Sequence, residues 1–225
     1  MNTELTILMP CLNEKDALPF AITEAKECIK KYNLSAEILI ADNGSTDGSV
    51  ELAESLGARV VQIEPRGYGA TLIGGIADAK GKYIIMGDCD GSYNFMDAHK
   101  ILELLRKGNA LVVGNRFKGG IEKGAMPPLH KIGVPFLSFL GRIKYGVKIK
   151  DFHCGLRGFD KDKALSLSLK SSGMEFATEI IAKFARSGAK ICETSTILRK
   201  DKRCGKPHLR TFRDGFRHLI YIIKN

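Results

Sequence analysis

Short apolar segments alternate with amphipathic segments over the first ninety residues of the chain. The apolar segments have the length and composition of buried strands, and they are Leu5–Met9, Glu37–Ala41, Ala58–Ile63 and Tyr83–Gly87. The segments between them place apolar residues at helical spacing, which predicts a helix after each of the first three strands. Alternation of this kind specifies a mostly parallel sheet with helices on its faces. The pattern therefore predicts an α/β, Rossmann-like fold.

The second half of the chain continues the alternation less regularly. Helices are predicted over residues 97–107, 129–145, 162–169 and 175–187, and strands over residues 110–114 and 189–197. Residues 118–128 are rich in glycine and proline and are predicted to form a mobile loop. Residues 151–159 form a polar, glycine-rich segment. A chain of 225 residues fits one sizeable domain.

Two carboxylates, Asp88 and Asp90, directly follow the predicted strand Tyr83–Gly87. Ligands of open α/β sheets bind beyond the carboxyl ends of the strands, so a functional loop is expected at this position. Two hard oxygen ligands suit Mg²⁺ or Mn²⁺, which keeps open positions for water and substrate phosphates. The sequence thus predicts a divalent-metal site, and the alternative is an Asp-Gly turn that merely ends the strand.

The loops after the first two strands are predicted to reach the same edge of the sheet, and they carry Glu14, Asp42 and Asp47. One metal ion does not need all these carboxylates as ligands. Some of them are therefore predicted to contact ribose hydroxyls or the edge of a base.

The composition is that of a soluble globular protein, with 44% hydrophobic and 27% charged residues. No apolar run is long enough to span a bilayer, and the N-terminal residues do not resemble a signal peptide. The six cysteines are scattered without a Cys-x-x-Cys pair, which argues against a zinc site and a disulfide framework. These features predict a cytoplasmic protein.

Positive charge is concentrated at the C-terminal end. Residues 196–225 contain nine Lys and Arg residues and two Asp residues, within a net charge of +10 for the chain. Apolar residues recur at helical spacing from Leu209 to Ile223, with basic residues between them. We therefore predict a main domain over residues 1–208 and a basic amphipathic helix over residues 209–225. Such a helix binds an anionic membrane surface, or else it packs on its own domain.

Five segments resemble successive motifs of one enzyme family. They are Met9–Glu14 (MPCLNE), Ala41–Asp47 (ADNGSTD), Gly87–Asp90 (GDCD), Gly114–Phe117 (GNRF) and Asp151–Phe159 (DFHCGLRGF). Together they are similar to the motifs of family 2 glycosyltransferases with the GT-A fold. The last motif resembles the branch that includes dolichyl-phosphate mannose synthase and the bacterial polyprenyl-phosphate glycosyltransferases.

The resemblance implies a nucleotide-sugar donor and inverting transfer of the sugar to a polyprenyl phosphate at the cytoplasmic face of a membrane. It implies that the nucleotide sugar is lined by Pro10, Asn13, Glu14, Asp42 and Asp88. Asp88 and Asp90 would also hold Mg²⁺ or Mn²⁺ on the diphosphate. Three basic residues of the C-terminal segment are predicted to contact the same phosphates, and they are Arg199, Arg203 and Lys206.

The acceptor needs little activation, because a lipid phosphate is already ionised near neutral pH. We predict catalytic or positioning roles for Asp151 and Glu175, and contacts with the acceptor phosphate for Arg116 and Arg157. Structural alternatives exist, namely a turn cap for Asp151, an ion pair for Arg157 and a favourable helix-dipole contact for Glu175.

The sequence thus predicts a metal-dependent hexosyltransferase that uses a UDP- or GDP-linked sugar and a polyprenyl phosphate. One alternative is a family 2 glycosyltransferase with a saccharide acceptor, which would need a true general base. A nucleotidyltransferase and a non-catalytic nucleic-acid-binding protein are further alternatives. The last of these leaves the clustered carboxylates unexplained, because they would repel a polyanion.

Overall fold

A single sheet forms the centre of the molecule in the computed structural model, which describes residues 3–203 and 210–225. Within these residues the chain forms seven strands. They are β1 (Leu5–Cys11), β2 (Ala36–Asp42), β3 (Arg59–Gln62), β4 (Tyr83–Met86), β5 (Leu111–Asn115), β6 (Arg157–Asp160) and β7 (Ile191–Ser195). Their order across the sheet is β3-β2-β1-β4-β6-β5-β7.

All neighbouring strands are parallel except for β6, which runs antiparallel to both β4 and β5. The central strands are apolar and almost fully buried, as expected for strands that are covered by helices on both faces. The predicted α/β fold with a mostly parallel sheet is therefore confirmed.

Nine α-helices lie within the same described residues. They are α1 (Leu18–Lys31), α2 (Ser49–Ser55), α3 (Tyr68–Asp78), α4 (Ala98–Arg106), α5 (Arg116–Gly119), α6 (Pro128–Tyr145), α7 (Lys161–Ser166), α8 (Phe176–Arg186) and α9 (Thr211–Lys224). None of them is both long and apolar enough to cross a membrane.

Strand β6 was not predicted, because its sequence Arg157-Gly158-Phe159-Asp160 lacks an apolar strand pattern. The sequence of β6 departs from the usual strand pattern because of the position of the strand in the fold. Gly158 faces α4 so closely that a Cβ atom would lie 2.4 Å from Ile101 Cγ2, so only glycine fits there without a shift. The last three residues of the polar, glycine-rich segment 151–159 thus belong to a strand.

The predicted loop over residues 118–128 also contains regular structure. Helix α5 extends to Gly119, and Ile121 forms an isolated β-bridge with Leu198. The predicted C-terminal helix is present as α9, while Leu209 lies outside the described residues. The proposed division of the chain at residues 208 and 209 stays a prediction.

Candidate active site

The carboxyl ends of three adjacent strands bring the predicted site loops together. Strands β2, β1 and β4 are parallel, with Cys11 paired to Asp42 and Leu8 paired to Met86. The loops that follow these strands therefore begin side by side at one edge of the sheet, where α/β proteins bind their ligands. The thiol of Cys89 donates a hydrogen bond to the Pro10 carbonyl oxygen at 3.1 Å, which joins the loop after β4 to the end of β1.

Asn13 connects the loop after β1 to the loop after β2. Its backbone has a left-handed conformation with φ of 55°, which asparagine tolerates better than most residues. Its Oδ1 accepts a hydrogen bond from the Thr46 N–H at 2.8 Å, and its own N–H donates to Ser45 Oγ at 2.8 Å. Asn13 is thus a positioning residue for the two loops predicted to line the nucleotide.

Asp42 is buried at the end of β2, and its carboxylate accepts hydrogen bonds from the backbone N–H groups of Gly44 and Ser45. The neighbouring Asn43 donates to the carbonyl oxygens of Ile63 and Pro65, which fixes the loop after β3. Asn43 was not predicted as a site residue, although it lies inside the motif Ala41–Asp47.

Four ionisable groups form an acidic cluster at the ends of β1 and β4, and they are Glu14, Asp88, Asp90 and Arg203. The Arg203 guanidinium donates to Glu14 Oε1 at 3.1 Å and to Asp90 Oδ2 at 3.0 Å. Asp201, beside it in the chain, accepts from the same guanidinium at 3.2 Å. A cation supplied by the C-terminal segment therefore joins the carboxylates of two site loops.

Asp88 contacts a residue of α3 as well as the acidic cluster. Its Oδ1 accepts a hydrogen bond from the Tyr68 hydroxyl at 2.9 Å. Burial raises the pKa of Asp88 to about 6, repulsion from Asp90 adds to the shift, and the Tyr68 hydrogen bond opposes it. Tyr68 was not predicted as a site residue, because no feature of the sequence indicates that the first turn of α3 reaches Asp88.

Glu14 has a similar electrostatic environment. Burial raises its pKa to about 7, with the Arg203 charge opposing the shift and the charges of Asp90 and Asp88 adding to it. Buried carboxylates that repel one another are stabilised by a nearby cation, and in this structure the cation is a guanidinium. A divalent ion of the same sign therefore fits the electrostatics of the acidic cluster.

The residues present are compatible with Mg²⁺ or Mn²⁺ bound together with a phosphorylated ligand. Among residues 3–203 and 210–225, no group of three or more His, Cys, Asp or Glu side chains is arranged to hold a metal ion by itself. Mg²⁺ commonly takes one or two carboxylates, and substrate phosphates and water supply its other ligands. Asp88 and Asp90 are the two carboxylates predicted for this role.

A second buried pair, Arg116 and Asp151, lies between the end of β5 and the segment before β6. Arg116 Nε donates to Asp151 Oδ2 at 2.7 Å, and Arg116 Nη2 donates to Asp151 Oδ1 at 2.8 Å. The Arg116 N–H also donates to Asp151 Oδ2 at 3.1 Å. Asp151 therefore orients Arg116 through both carboxylate oxygens, which leaves Asp151 poorly suited to accept a proton from a substrate.

Arg157 does not reach the surface of the protein. Its side chain is fully buried in β6, where the guanidinium donates to the carbonyl oxygens of Phe152, Cys154 and Ala177. These contacts hold the loop that carries Asp151 against the start of α8. In this arrangement Arg157 supports the loop and has no surface with which to bind an acceptor phosphate.

Glu175 lies at the start of α8 and is occupied by a contact with α9. Its Oε1 accepts from Arg217 Nη2 at 2.7 Å. Glu179, one turn further on, accepts from the backbone N–H groups of Lys170 and Ser171 and pairs with Lys183. These contacts give both glutamates structural partners, and the catalytic role of Glu175 stays a prediction.

Arg199 and Arg203 occupy different positions, although both were predicted to contact phosphates. Arg203 belongs to the acidic cluster, whereas Arg199 forms a bidentate pair with Glu24 of α1 at 2.7 and 2.8 Å. The Arg199 N–H also donates to the Ser92 carbonyl oxygen, which places the segment beside the loop of Asp90. Lys206 lies outside the described residues.

A parallel sheet with carboxylates at its carboxyl edge is typical of α/β proteins that bind their ligands beyond the ends of the strands. Comparison with known families is more specific: the chain belongs to glycosyl transferase family 2, whose family model matches residues 6–166. The family predicted from the five motifs is therefore confirmed.

Two curated relatives come from Haloferax volcanii. The low-salt glycan biosynthesis hexosyltransferase Agl6 is 34% identical over 98% of this chain and 53% of its own length. A dolichyl-phosphate hexose transferase is 26% identical over 94% of this chain and 89% of its own length. The chain thus spans about half the length of Agl6.

Solved structures match the fold over nearly the whole chain. Glucosyl-3-phosphoglycerate synthase from Mycobacterium tuberculosis, in complex with Mn²⁺, UDP and phosphoglyceric acid, has a TM-score of 0.78 and is 20% identical. The match covers 98% of this chain and 78% of that one. The same enzyme has also been crystallised with Mg²⁺ and UDP. This similarity confirms the predicted GT-A fold.

Proposed function

We propose that the chain transfers a hexose from a nucleoside-diphosphate sugar to a polyprenyl phosphate. The observation that carries this proposal is the acidic cluster, in which Arg203 joins Glu14 to Asp90 above the carboxyl ends of β1 and β4. A diphosphate with a bound divalent cation has the charges needed to take the place of that guanidinium. The presence of a dolichyl-phosphate hexose transferase among the relatives supports the lipid phosphate as the acceptor.

The donor would lie along the loops after β1, β2 and β4. Pro10, Asn13, Glu14 and Asp42 would line the nucleoside, and Asp88 and Asp90 would hold Mg²⁺ or Mn²⁺ on the diphosphate. When bound, this ion would offset the negative charge that develops on the leaving diphosphate. Arg203 would then bind a phosphate oxygen, since its guanidinium suits phosphate as well as carboxylate.

The acceptor phosphate would approach from the side of Arg116. A phosphate oxygen of the lipid attacks the anomeric carbon, the bond from that carbon to the diphosphate breaks, and the nucleoside diphosphate leaves with the electron pair. Attack from the opposite face inverts the configuration of the sugar. The nucleophile is already an anion, so this step needs no general base. Asp151 would keep the Arg116 guanidinium in a fixed orientation toward the acceptor.

The first experiment is a calorimetric titration of the purified protein with UDP and with GDP, each in the presence and absence of Mn²⁺. We expect one of the two nucleotides to bind in a metal-dependent manner. The corresponding radiolabelled nucleotide sugars are then incubated with the protein and polyprenyl phosphate, and the transfer of label into the organic phase is measured.

Asp90→Asn is the test variant, and Asp162→Asn on the exposed surface of α7 is the matched control. We expect Asp90→Asn to remove transfer while the circular-dichroism spectrum stays unchanged, and Asp162→Asn to behave as the wild type. Normal turnover by Asp90→Asn with Mn²⁺ would contradict the metal role. Transfer to a saccharide, with none to polyprenyl phosphate, would contradict the proposed acceptor.

A further inference from the structure

Helix α6 exposes five large apolar residues to solvent, and the two residues that it buries are small. Only Ser138 and Gly141 are buried along its 18 residues. A Cβ atom on Gly141 would lie 2.6 Å from the Phe152 ring, so the inner face of the helix is shaped for close approach to the segment of Asp151. The exposed residues recur at intervals of three and four, and they are Leu129, Ile132, Phe136, Phe139 and Ile143.

Helix α9 has the same inverted arrangement. Its buried residues are Asp214, His218 and Ile222, so two of the three are polar. Phe212, Phe216 and Ile223 are exposed, by 82%, 63% and 66% of their surfaces. A helix that simply covered its own domain would turn these three apolar side chains inward.

The two helices lie side by side and run in the same direction. Near their N-terminal ends, His130 Nε2 and Thr211 Oγ1 form a hydrogen bond of 2.9 Å. At their C-terminal ends, Lys144 Nζ donates to the Ile223 carbonyl oxygen at 3.3 Å. The two exposed stripes therefore lie on one surface, which we call the apolar face. It comprises Leu129, Ile132, Phe136, Phe139, Ile143, Phe212, Phe216 and Ile223.

The charges on these helices all have one sign at the surface. Together α6 and α9 contain six Lys and Arg residues, which are Lys131, Arg142, Lys144, Arg213, Arg217 and Lys224. Their one acidic residue, Asp214, is buried and accepts a hydrogen bond from the Arg210 N–H. A basic surface with an exposed apolar face is complementary to an anionic lipid surface, which binds the cations and buries the apolar side chains.

We propose that α6 and α9 together form a membrane-binding surface that rests on anionic lipid. This membrane-binding surface adds a lipid partner to the proposed function, and the identity of the acceptor rests on that proposed function. The sequence indicated such a surface for the C-terminal helix alone, whereas the structure adds α6 with the longer of the two stripes.

The segment of Asp151 lies directly beneath this surface. The Phe152 N–H donates to Ser138 Oγ of α6 at 3.1 Å, and the rings of His153 and of His218 in α9 meet edge to face at 4.3 Å. Membrane binding would thus bring lipid headgroups next to the part of the site that holds Arg116. A lipid phosphate could then reach the transferase site while its polyprenyl chain stays in the bilayer.

The test is sedimentation of the protein with vesicles of phosphatidylcholine alone or mixed with phosphatidylglycerol. The α6 variant Ile132→Ser/Phe136→Ser is compared with the α9 variant Phe212→Ser/Phe216→Ser. Leu165→Ser on α7 is the matched control, because Leu165 is exposed on a helix that packs on α3 and β6. Circular dichroism and light scattering establish the fold and the oligomeric state of each protein.

We expect the wild type and Leu165→Ser to bind the phosphatidylglycerol vesicles and to be released by salt. Each double variant is expected to lose at least about tenfold in partitioning, because two apolar side chains no longer enter the interface. Unchanged binding by the α6 variant would overturn the proposal. Conversion of a wild-type dimer to a monomer, with vesicle binding intact, would also overturn it and would identify a second copy as the occupant of the apolar face.

Activity distinguishes this proposal from the proposed function. Transfer to a short-chain, water-soluble polyprenyl phosphate in the absence of vesicles should be the same for the wild type and all three variants. A protein that binds vesicles through α6 and α9 but transfers no sugar would refute the proposed function and leave the membrane-binding surface standing. Full transfer with no vesicle binding would refute the membrane-binding surface and leave the proposed function standing.

Discussion

Arg203 is the residue that connects the C-terminal segment to the predicted metal site. Its guanidinium contacts Glu14, Asp90 and Asp201, and it is the cation that neutralises these carboxylates in the structure. A buried carboxylate that loses its partner is strongly destabilising. The acidic cluster should therefore depend either on Arg203 or on a bound metal ion.

We expect Arg203→Ala to make the stability of the protein depend on a divalent metal. Without the guanidinium, the charges of Glu14, Asp88 and Asp90 repel one another, and a divalent ion offsets this repulsion. The melting temperature of the variant should fall in the absence of metal, and Mn²⁺ should raise it more than it raises that of the wild type.

Arg199→Ala is the control for Arg203→Ala, because it removes an arginine of the same segment that pairs with Glu24 outside the acidic cluster. Its melting temperature should respond to Mn²⁺ as the wild type does. An equal response to Mn²⁺ in the wild type and in Arg203→Ala, at matched ionic strength, would argue against the metal site.

Asp151 is expected to contribute to stability through Arg116. Its side chain is fully buried and the Arg116 side chain is 10% exposed, so Asp151→Ala leaves a buried guanidinium without its carboxylate. The expected loss is about 3–5 kcal/mol in the free energy of unfolding, which chemical denaturation measures. Glu103→Ala, which removes a surface pair with Arg106, should cost less than about 1 kcal/mol. Equal losses in the two variants would contradict the structural role.

At the scale of elements, polar contacts contribute to the attachment of α9 to the domain. Thr178 Oγ1 and His218 Nδ1 form a hydrogen bond of 2.8 Å, and Arg217 pairs with Glu175. His218 is buried against the His153 ring. This mode of attachment leaves the apolar residues of α9 available for the apolar face, and it makes the position of the helix sensitive to pH.

Burial lowers the pKa of His218 from 6.5 to about 4. Between these two pH values the unfolded chain binds more protons than the folded one, so the free energy of unfolding falls as the pH is lowered. The contribution of His218 over this window is about 3 kcal/mol. We therefore expect acid to destabilise the wild type more steeply than His218→Asn, in which the amide retains a partner for Thr178.

Chemical denaturation at pH 7, 6, 5 and 4 measures this difference, with His99→Asn on α4 as the control for the loss of one histidine. Parallel curves for the wild type and His218→Asn would show that His218 titrates in the same way in the folded and unfolded states. That result would contradict the burial of His218 between α9 and the domain.

At the scale of the whole molecule, the segment proposed to face the acceptor and the proposed metal ligand Asp88 meet at Gly155. A Cβ atom at this position would lie 2.6 Å from Asp88 Oδ2, although the two residues are far apart in the chain. The Gly155 N–H also donates to the Tyr93 hydroxyl at 2.8 Å. A side chain at this position would therefore displace the Asp88 carboxylate from its present position.

We expect Gly155→Ala to displace the Asp88 carboxylate and to weaken Mn²⁺-dependent nucleotide binding at least about tenfold, since ligand geometry determines metal affinity. Calorimetric titration measures this change, and the far-ultraviolet circular-dichroism spectrum should stay unchanged. Gly133→Ala in α6 is the control, because a Cβ atom there meets no other atom within 4 Å. Normal affinity in Gly155→Ala would exclude Asp88 as a metal ligand.

Much of the fold follows from local patterns that the sequence makes visible. The four strands of the first ninety residues are apolar because helices cover both faces of the sheet, and their pattern predicted them within a few residues of β1–β4. Strand β6 was not predicted, because tertiary contacts determine which residues it needs. Gly158 allows the close approach of α4, and Arg157 donates hydrogen bonds to the carbonyl oxygens of Phe152, Cys154 and Ala177.

The site was predictable where its residues directly follow a strand. Asp42, Asp88 and Asp90 come directly after strand patterns, and the parallel sheet brings the ends of those strands together. The contact of Tyr68 with Asp88 was not predictable, and neither were the ion-pair partners of the arginines. No local pattern in the sequence indicates which side chains of distant segments come into contact. Arg199 and Arg203 have similar sequence surroundings, yet one pairs with Glu24 and the other enters the acidic cluster.

The sequence by itself determined the family, the parallel sheet and the edge on which the carboxylates gather, because motifs, hydrophobic period and the alternation of strands with helices along the chain are local properties. Only the tertiary structure decided which charges are paired, and which face of each amphipathic helix is exposed. Periodicity shows that a helix has an apolar stripe, but the packing of Ser138, Gly141 and His218 against the domain turns the stripes of α6 and α9 outward. Burial of small and polar residues at close contacts is a property of the assembled fold, and it cannot be read from one helix alone.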